Sequence, residues 1–216
     1  MAIKARRCPL CAQAHTNAVF TVDKRTFIEC PECDLLFVDE GSFLSLEQEK
    51  QRYDLHQNDA SDSGYVAHLS RLKDALLPYL LPEARGLDFG CGPAPVLAQL
   101  FTAQGFEMQN YDRVYSPVVP LSAAPFDFIT CCEVAEHFQC PSEEFSLMRS
   151  LSKAGSWIAL MTNFRTPDRR GPDWWYLKDP THMCFYSADT LHKLAALQNW
   201  RLLHAKDDIA LFQVAS

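Results

Sequence analysis

The sequence predicts an α/β protein. A mostly parallel sheet is wound with helices, an antiparallel hairpin closes the C-terminal end, and a small cysteine-rich module precedes both. Three observations predict this. Helical and strand periods alternate from about residue 64 onward. The last two apolar runs are separated only by a tight turn at Asp207-Asp208. Cys8-Pro-Leu-Cys11 and Cys30-Pro-Glu-Cys33 stand 18 residues apart, in a segment with too few apolar residues to support a core of its own.

The elements follow in order. Residues 1–45 read as the module, with β-like runs at Ala18–Val22, Thr26–Cys30 and Leu35–Val38. Residues 46–63 are polar and read as a linker that begins with a short helix. Over Gly64–Leu81, the residues Tyr65, Leu69, Leu72, Leu76 and Leu80 recur at spacings of four, three, four and four, one apolar helix face. Gly86–Gly90 reads as a short buried strand, followed by a glycine turn and a helix over Pro95–Gln104 that Gly105 stops. Phe106–Tyr111 and Phe126–Cys132 read as the next strands, Ser142–Leu151 as a helix, Lys153-Ala-Gly155 as a turn and Trp157–Met161 as a strand. Ser187 caps a helix carrying Leu191, Leu194 and Leu197, and Trp200–Ala205 and Ile209–Val214 form the final hairpin.

Composition narrows the function classes. Of 216 residues, 48% are hydrophobic and 22% charged, which excludes a disordered or low-complexity chain. Lys and Arg number 20 against 27 Asp and Glu, so no basic surplus exists to coat a nucleic acid. Apolar runs such as Trp157–Met161 fall far short of the roughly 20 residues that span a bilayer. The N-terminal segment has no apolar signal-peptide core, so the expected compartment is the cytosol and no membrane partner is expected. There the nine cysteines are not expected to form disulfides, and Cys91, Cys131 and Cys132 lie in apolar segments where a thiol serves as a small hydrophobe.

Leu87-Asp88-Phe89-Gly90-Cys91-Gly92-Pro93 is the central motif. A strand ends in a turn without Cβ atoms at two positions, and the helix that follows offers free N–H groups to a ligand. Dinucleotide binding is the first rival, but it wants Gly or Ala at position 95, where this chain has Pro95. Asp88, two positions before the first glycine, suits an ammonium group rather than a pyrophosphate. The next strand ends at Asp112, 22 residues after Gly90, where a carboxylate can grip two ribose hydroxyls.

This loop resembles the cofactor loop of class I S-adenosylmethionine-dependent methyltransferases. Phe126-Asp-Phe-Ile-Thr-Cys-Cys-Glu-Val-Ala-Glu-His-Phe138 resembles the same family's fourth-strand motif, in the E-x-x-E-H version of small-molecule O-methyltransferases of the ubiquinone-biosynthesis type. Lys153-Ala-Gly-Ser156 resembles the turn before the fifth strand, with Ala154 where proline is usual. The resemblance covers about residues 64–216 and implies a Rossmann-like fold that binds S-adenosylmethionine. It implies that Asp88, Gly90, Cys91 and Gly92 hold the methionine moiety, that Asp112 holds the ribose, and that Glu133 lines the cofactor pocket. One departure matters. Only 13 residues, 113–125, separate Asp112 from Phe126, too few for the family's helix, strand and second helix. A trimmed sheet is expected, and the adenine contact is left unassigned.

The two C-x-x-C turns match zinc-ribbon spacing. Each turn sets two thiolates on one side of a metal, so Cys8, Cys11, Cys30 and Cys33 complete a closed tetrahedron with no open position for water, a structural rather than catalytic zinc site. Iron in a rubredoxin-like arrangement satisfies the same spacing.

Methyl transfer needs an acceptor held in line with the methyl carbon, and a hydroxyl or amine acceptor needs a general base. His137 follows Glu133 by four residues, just past a strand end. His182 lies in the long aromatic loop Trp174–Ser187, whose D-P-T-H…F-Y-S pattern resembles an acceptor-side loop of many bacterial methyltransferases of this type. These two rank above His56 in the linker as catalytic candidates, with Tyr53 in reserve. His15, His68, His192 and His204 read as surface. The aromatic set Phe164, Trp174, Trp175 and Tyr176, with Arg165, Arg169 and Arg170 nearby, suits either a cover for the sheet or a wall for a planar or anionic acceptor. The leading reading is a methyltransferase with a small-molecule acceptor. Its rivals are a nucleic-acid- or protein-modifying enzyme whose basic module (Lys4, Arg6, Arg7, Lys24, Arg25) grips the substrate, and a non-catalytic cofactor-binding protein.

Overall fold

A computed structural model of the chain describes residues 6–55, 59–119 and 124–216; Lys4 and His56 lie outside these. In chain order the elements are β1 (Asn17–Val22), β2 (Arg25–Glu29), β3 (Leu36–Val38), α1 (Leu46–Tyr53), α2 (Ser63–Leu76), β4 (Arg85–Phe89), α3 (Val96–Thr102), β5 (Glu107–Tyr111), β6 (Phe126–Cys132), α4 (Pro141–Ser150), β7 (Ser152–Met161), β8 (Cys184–Phe185), α5 (Ala188–Gln198), β9 (Trp200–Lys206) and β10 (Ile209–Val214).

The main sheet has six strands in the order β5-β4-β6-β7-β10-β9. The first four run parallel, while β10 runs antiparallel to both β7 and β9, which makes the C-terminal hairpin. β5 is the edge, because the chain passes from Asp112 to β6 with no further strand or helix among the described residues. The sheet is Rossmann-like and trimmed on that side. Two local readings are corrected. The helix expected to reach Leu81 stops at Leu76 and gives way to a 3-10 turn over Leu77–Tyr79, since Pro78 has no N–H to continue the ladder. Lys153-Ala-Gly155 lies inside β7 rather than before it. Gly155 is left-handed and the pairing with β6 jumps from Phe126↔Ser152 to Phe128↔Trp157, so the expected turn is an irregularity of the strand.

α2 and α3 bury Leu69, Leu72, Leu76 and Phe101 on one face of the sheet, against Phe128 and Leu211. On the other face Phe145, Tyr186, Leu194, Trp200 and Phe212 form the larger core, and Cys8, Leu10, Phe27 and Phe37 of the N-terminal module belong to it. The module's own sheet, β1-β2-β3, is antiparallel and takes β8 from the far end of the chain as its fourth strand. Among the described residues no helix is long and apolar enough to cross a membrane.

Candidate active site

The two cysteine knuckles are built alike. Cys8 N–H donates to Gln13 and Ala12 N–H to Cys8; Cys30 N–H donates to Leu35 and Asp34 N–H to Cys30. Ala12 and Asp34 are both left-handed, which turns each chain back under its second cysteine. Sγ of Cys8 lies 3.6 Å from Sγ of Cys33, and Cys11 lies 3.6 Å from Cys30. Four sulfurs at about 2.3 Å from a tetrahedral zinc stand about 3.8 Å apart, so the cluster fits that ion. Without a cation the thiols cannot all ionise. Cys8 falls to about 5 because Cys33 donates to it, while burial pushes Cys11 up to about 11.

At the carboxyl end of the parallel strands a cavity of about 500 Å³ opens between the glycine turn, the segment after β6 and the Trp174–Tyr186 loop. Gly90 requires its lack of side chain: its φ is +84°, and a Cβ would meet Val134 at 2.4 Å. Gly92 is also left-handed, but a Cβ there would open onto free space. Asp112 Oδ2 accepts from Gly92 N–H at 3.0 Å, and Oδ1 accepts from Val114 and Tyr115 N–H at 2.7 and 2.9 Å. The carboxylate therefore ties the end of β5 to the glycine turn. Glu133 lies just past β6 in a left-handed conformation unusual for its residue type, and its Oε1 is 3.3 Å from His68 Nε2.

Three groups stand together deeper in the cavity. Glu136 is buried, and its carboxylate accepts from Tyr176 Oη at 2.6 Å and from Thr162 Oγ1 at 2.9 Å. Burial holds this carboxyl above its usual range, with the nearby Glu133 charge adding to it. His137 Nδ1 donates to the Thr181 carbonyl at 3.0 Å and His182 Nδ1 to the Tyr176 carbonyl at 2.8 Å. A carbonyl only accepts, so each Nδ1 carries the proton and each Nε2 keeps its lone pair in the neutral ring. The rings meet edge to face at 4.9 Å, and Tyr53 of α1 closes on His137 at 5.3 Å. Burial lowers the His182 pKa, and Glu136 opposes this only in part. The donor atoms of Glu136, His137 and His182 all lie within 4.8 Å of one another, a set whose chemistry also suits a divalent cation.

Gly90, Cys91, Gly92, Asp112, Glu133, His137 and His182 thus line one cavity. Asp88 does not. It is 3% exposed behind the turn, where it accepts from Thr130 Oγ1 at 2.9 Å. Its expected contact with an ammonium group gives way to a structural one. His68, read as surface, is a wall residue of the cavity. Its position next to Leu69 on the buried stripe of α2 was the one available signal. The aromatic and arginine set divides. Trp175 and Tyr176 line the cavity, whereas Phe164 and Trp174 belong to the core. Arg165 is buried against Glu29 and Asp34, Arg169 pairs with Asp208 and Arg170 with Asp34, and all three face a separate groove. They do not form a wall for an anionic acceptor. Among the described residues Arg113 is the only Lys or Arg that lines the cavity, against the carboxylates of Asp112, Glu133, Glu136, Glu144 and Asp179, the last of which pairs with Arg52 at 3.3 Å.

A six-stranded, mainly parallel sheet with a glycine turn after its central strand, an acidic residue ending the next strand and a cavity above both defines the class I S-adenosylmethionine-dependent methyltransferase fold. The profile of a family described as a methyltransferase domain matches residues 62–205, two-thirds of the chain, and the protein belongs to that family. No curated protein matches the sequence. Among solved structures, the 1,6-didemethyltoxoflavin-N1-methyltransferase of Burkholderia thailandensis, with bound 1,6-didemethyltoxoflavin and S-adenosylhomocysteine, is similar over 92% of this chain and 99% of its own, at 12% identity and a TM-score of 0.58. A SAM-dependent methyltransferase from Archaeoglobus fulgidus is similar over 64% of this chain and 73% of its own, at 22% identity and a TM-score of 0.47. An O-methyltransferase family protein from Burkholderia thailandensis is similar over 78% of this chain and 63% of its own, at 12% identity and a TM-score of 0.49. The chain is an enzyme of the methyl-transfer class with a four-cysteine cluster at its N-terminal end.

Proposed function

We propose that this enzyme methylates a small molecule that is neutral or cationic, with His182 or His137 as general base and a structural zinc ion on Cys8, Cys11, Cys30 and Cys33. The observation that carries this reading is the convergence of the glycine turn, Asp112, Glu133 and two histidines, each with its Nδ1 engaged by a main-chain carbonyl, in one cavity of about 500 Å³. That size suits a cofactor with a small acceptor beside it. In this reading residues 1–45 form the metal module, 46–63 the connecting segment and 64–216 the methyltransferase domain.

S-adenosylmethionine supplies an activated methyl group on a sulfonium. The Gly90–Gly92 turn would receive its methionine end and Asp112 its ribose, with Asp88 holding the turn from behind. The acidic wall favours the positively charged sulfonium and disfavours an anionic acceptor. His182 or His137 would take the acceptor's proton at Nε2 as the methyl carbon passes to the acceptor, the broken carbon–sulfur bond leaving its electron pair on sulfur, and Glu136 would stabilise the resulting imidazolium. The nucleic-acid reading loses support at the module, because Arg6 pairs with Glu40 and the Val38 carbonyl, and Arg25 is buried.

The test is transfer of tritiated methyl to separated pools of small metabolites, protein and RNA from the host. Label in the small-metabolite pool is expected. Label confined to RNA or protein overturns the acceptor class. Calorimetry should show S-adenosylmethionine binding at micromolar concentration, about 8 kcal/mol. Binding of a nicotinamide dinucleotide in its place would overturn the cofactor.

A further inference from the structure

The module lies outside the cavity: none of residues 6–45 lines it. It nevertheless holds the loop that carries His182. Arg25, at the start of β2, is 7% exposed. Its guanidinium donates to three main-chain carbonyls of that loop: Leu177 at 3.4 Å, Asp179 at 2.5 Å and His182 itself at 2.5 Å. Loop carbonyls buried away from water need donors, and a planar fork of N–H groups can serve several at once in a fixed arrangement. The same sheet extends the hold. β3 pairs with β8 through Leu36↔Phe185 and Phe37↔Cys184, and Val38 N–H donates to the Met183 carbonyl at 2.9 Å. From the opposite side Met183 N–H donates to the Glu136 carbonyl at 2.6 Å, and His137 Nδ1 to the Thr181 carbonyl. Residues 177–185 are thus clamped between the module and the segment after β6.

We propose that Arg25 is a positioning residue of the active site, through which the four-cysteine module sets the place and tautomer of His182. The inference rests on the reading of His182 as a site histidine in a methyltransferase with a metal-bound module. With Arg25 in place, the Tyr176 carbonyl is presented to Nδ1, which holds the proton there and leaves the lone pair on Nε2. Without it, the three carbonyls lose their donor, the loop opens to water, and the imidazole is free to carry its proton on either nitrogen. Metal occupancy of the module then acts on the acceptor side of the site and leaves the glycine turn untouched.

The experiment uses the full chain, labelled with ¹⁵N-histidine. In the wild-type protein His182 should show one tautomer, protonated at Nδ1. In Arg25→Ala a mixture of tautomers should appear, and the amides of residues 177–179 and 181–185 should exchange with deuterium about ten-fold faster or more. S-adenosylmethionine affinity should stay within about twofold. Arg25→Lys, which reaches one carbonyl but not three, should fall between the two. Unchanged tautomer and unchanged loop exchange in Arg25→Ala overturn the proposal. Should that variant fail to fold, the wild-type protein decides: after a chelator strips the metal, loop exchange should rise together with that of the module, while β4 and β6 keep their protection. A loop that stays protected in the stripped protein overturns the proposal equally. Failure to bind S-adenosylmethionine strikes the functional reading alone and leaves the Arg25 result standing. Absence of metal from the purified protein strikes the zinc reading and, with it, the action of metal occupancy on the site, while Arg25→Lys against wild type still decides the role of Arg25.

Discussion

Asp88 and His182 are both buried, and burial shifts each in the direction that disfavours its charge. Asp88 is pushed up to about 6 from 3.8. A carboxyl whose folded pKa is raised binds its proton more tightly in the native state, so the stability it contributes is full below about pH 4 and is lost as pH rises toward 6. At about 1.4 kcal/mol per unit, its ionisation at neutral pH costs the ligand-free protein up to about 3 kcal/mol. Asp88→Asn should therefore unfold at higher temperature than wild type at pH 7 and match it near pH 4, a comparison thermal denaturation makes directly. For His182 the pKa is lowered, so the ring stays neutral and able to accept a proton through neutrality. Turnover should be flat across neutral pH and fall only below the ordinary imidazole range. His182→Ala or His137→Ala should reduce turnover by roughly 10²–10⁴ while calorimetry finds S-adenosylmethionine affinity nearly unchanged.

At the scale of elements, the turn after β4 and helix α1 shape the cavity by different means. The turn depends on its backbone. Gly90→Ala would place a Cβ 2.4 Å from Val134 and force a left-handed alanine, costing about 1–2 kcal/mol for the conformation alone. Loss of measurable cofactor binding, with the fold retained by circular dichroism, is the expected result. α1 depends on one side chain. Ser45 and Gln48 form a capping box at its start, and Glu49 is buried, accepting from Arg113 and from Gln139 Nε2 at 2.8 Å. This ties α1 to the residue after Asp112 and brings Tyr53 over His137. Glu49→Ala should destabilise the protein by about 1–3 kcal/mol, the scale for unpairing buried charge-assisted bonds, and should speed tryptic cleavage at Arg52.

Across the whole molecule the module and the sheet share one apolar core, with Phe27 and Phe37 packed into the cluster that contains Tyr186 and Phe212. Metal affinity is folding energy for such a module. Elemental analysis should find about one zinc per chain. Cys8→Ser or Cys33→Ser should release that metal and disorder the module, and the disorder should spread through β8 to the site loop while the glycine turn still binds its ligand. Hydrogen exchange followed by mass spectrometry reads each segment separately.

What was legible in the sequence was what short spacings encode. Two C-x-x-C turns, a glycine turn after an apolar strand and an acidic residue at the end of the next strand are each contained in a few residues, and each has one backbone solution. The four cysteines, the six-stranded sheet with its C-terminal hairpin, and the shortened path from Asp112 to Phe126 all follow from such local patterns. The partners of buried charges were not legible, because they lie far along the chain. Arg165 reads as a neighbour of the aromatic loop until Asp34 and Glu29 neutralise it from 131 and 136 residues away. His68 joins Glu133 across 65 residues, and Arg25 reaches the His182 loop across 152 to 157. The sequence by itself determined which chemistry the chain carries. Which of its histidines, arginines and aromatic residues share a cavity was decided only by the tertiary structure, because hydrogen-bond and charge partners are selected by distance in space.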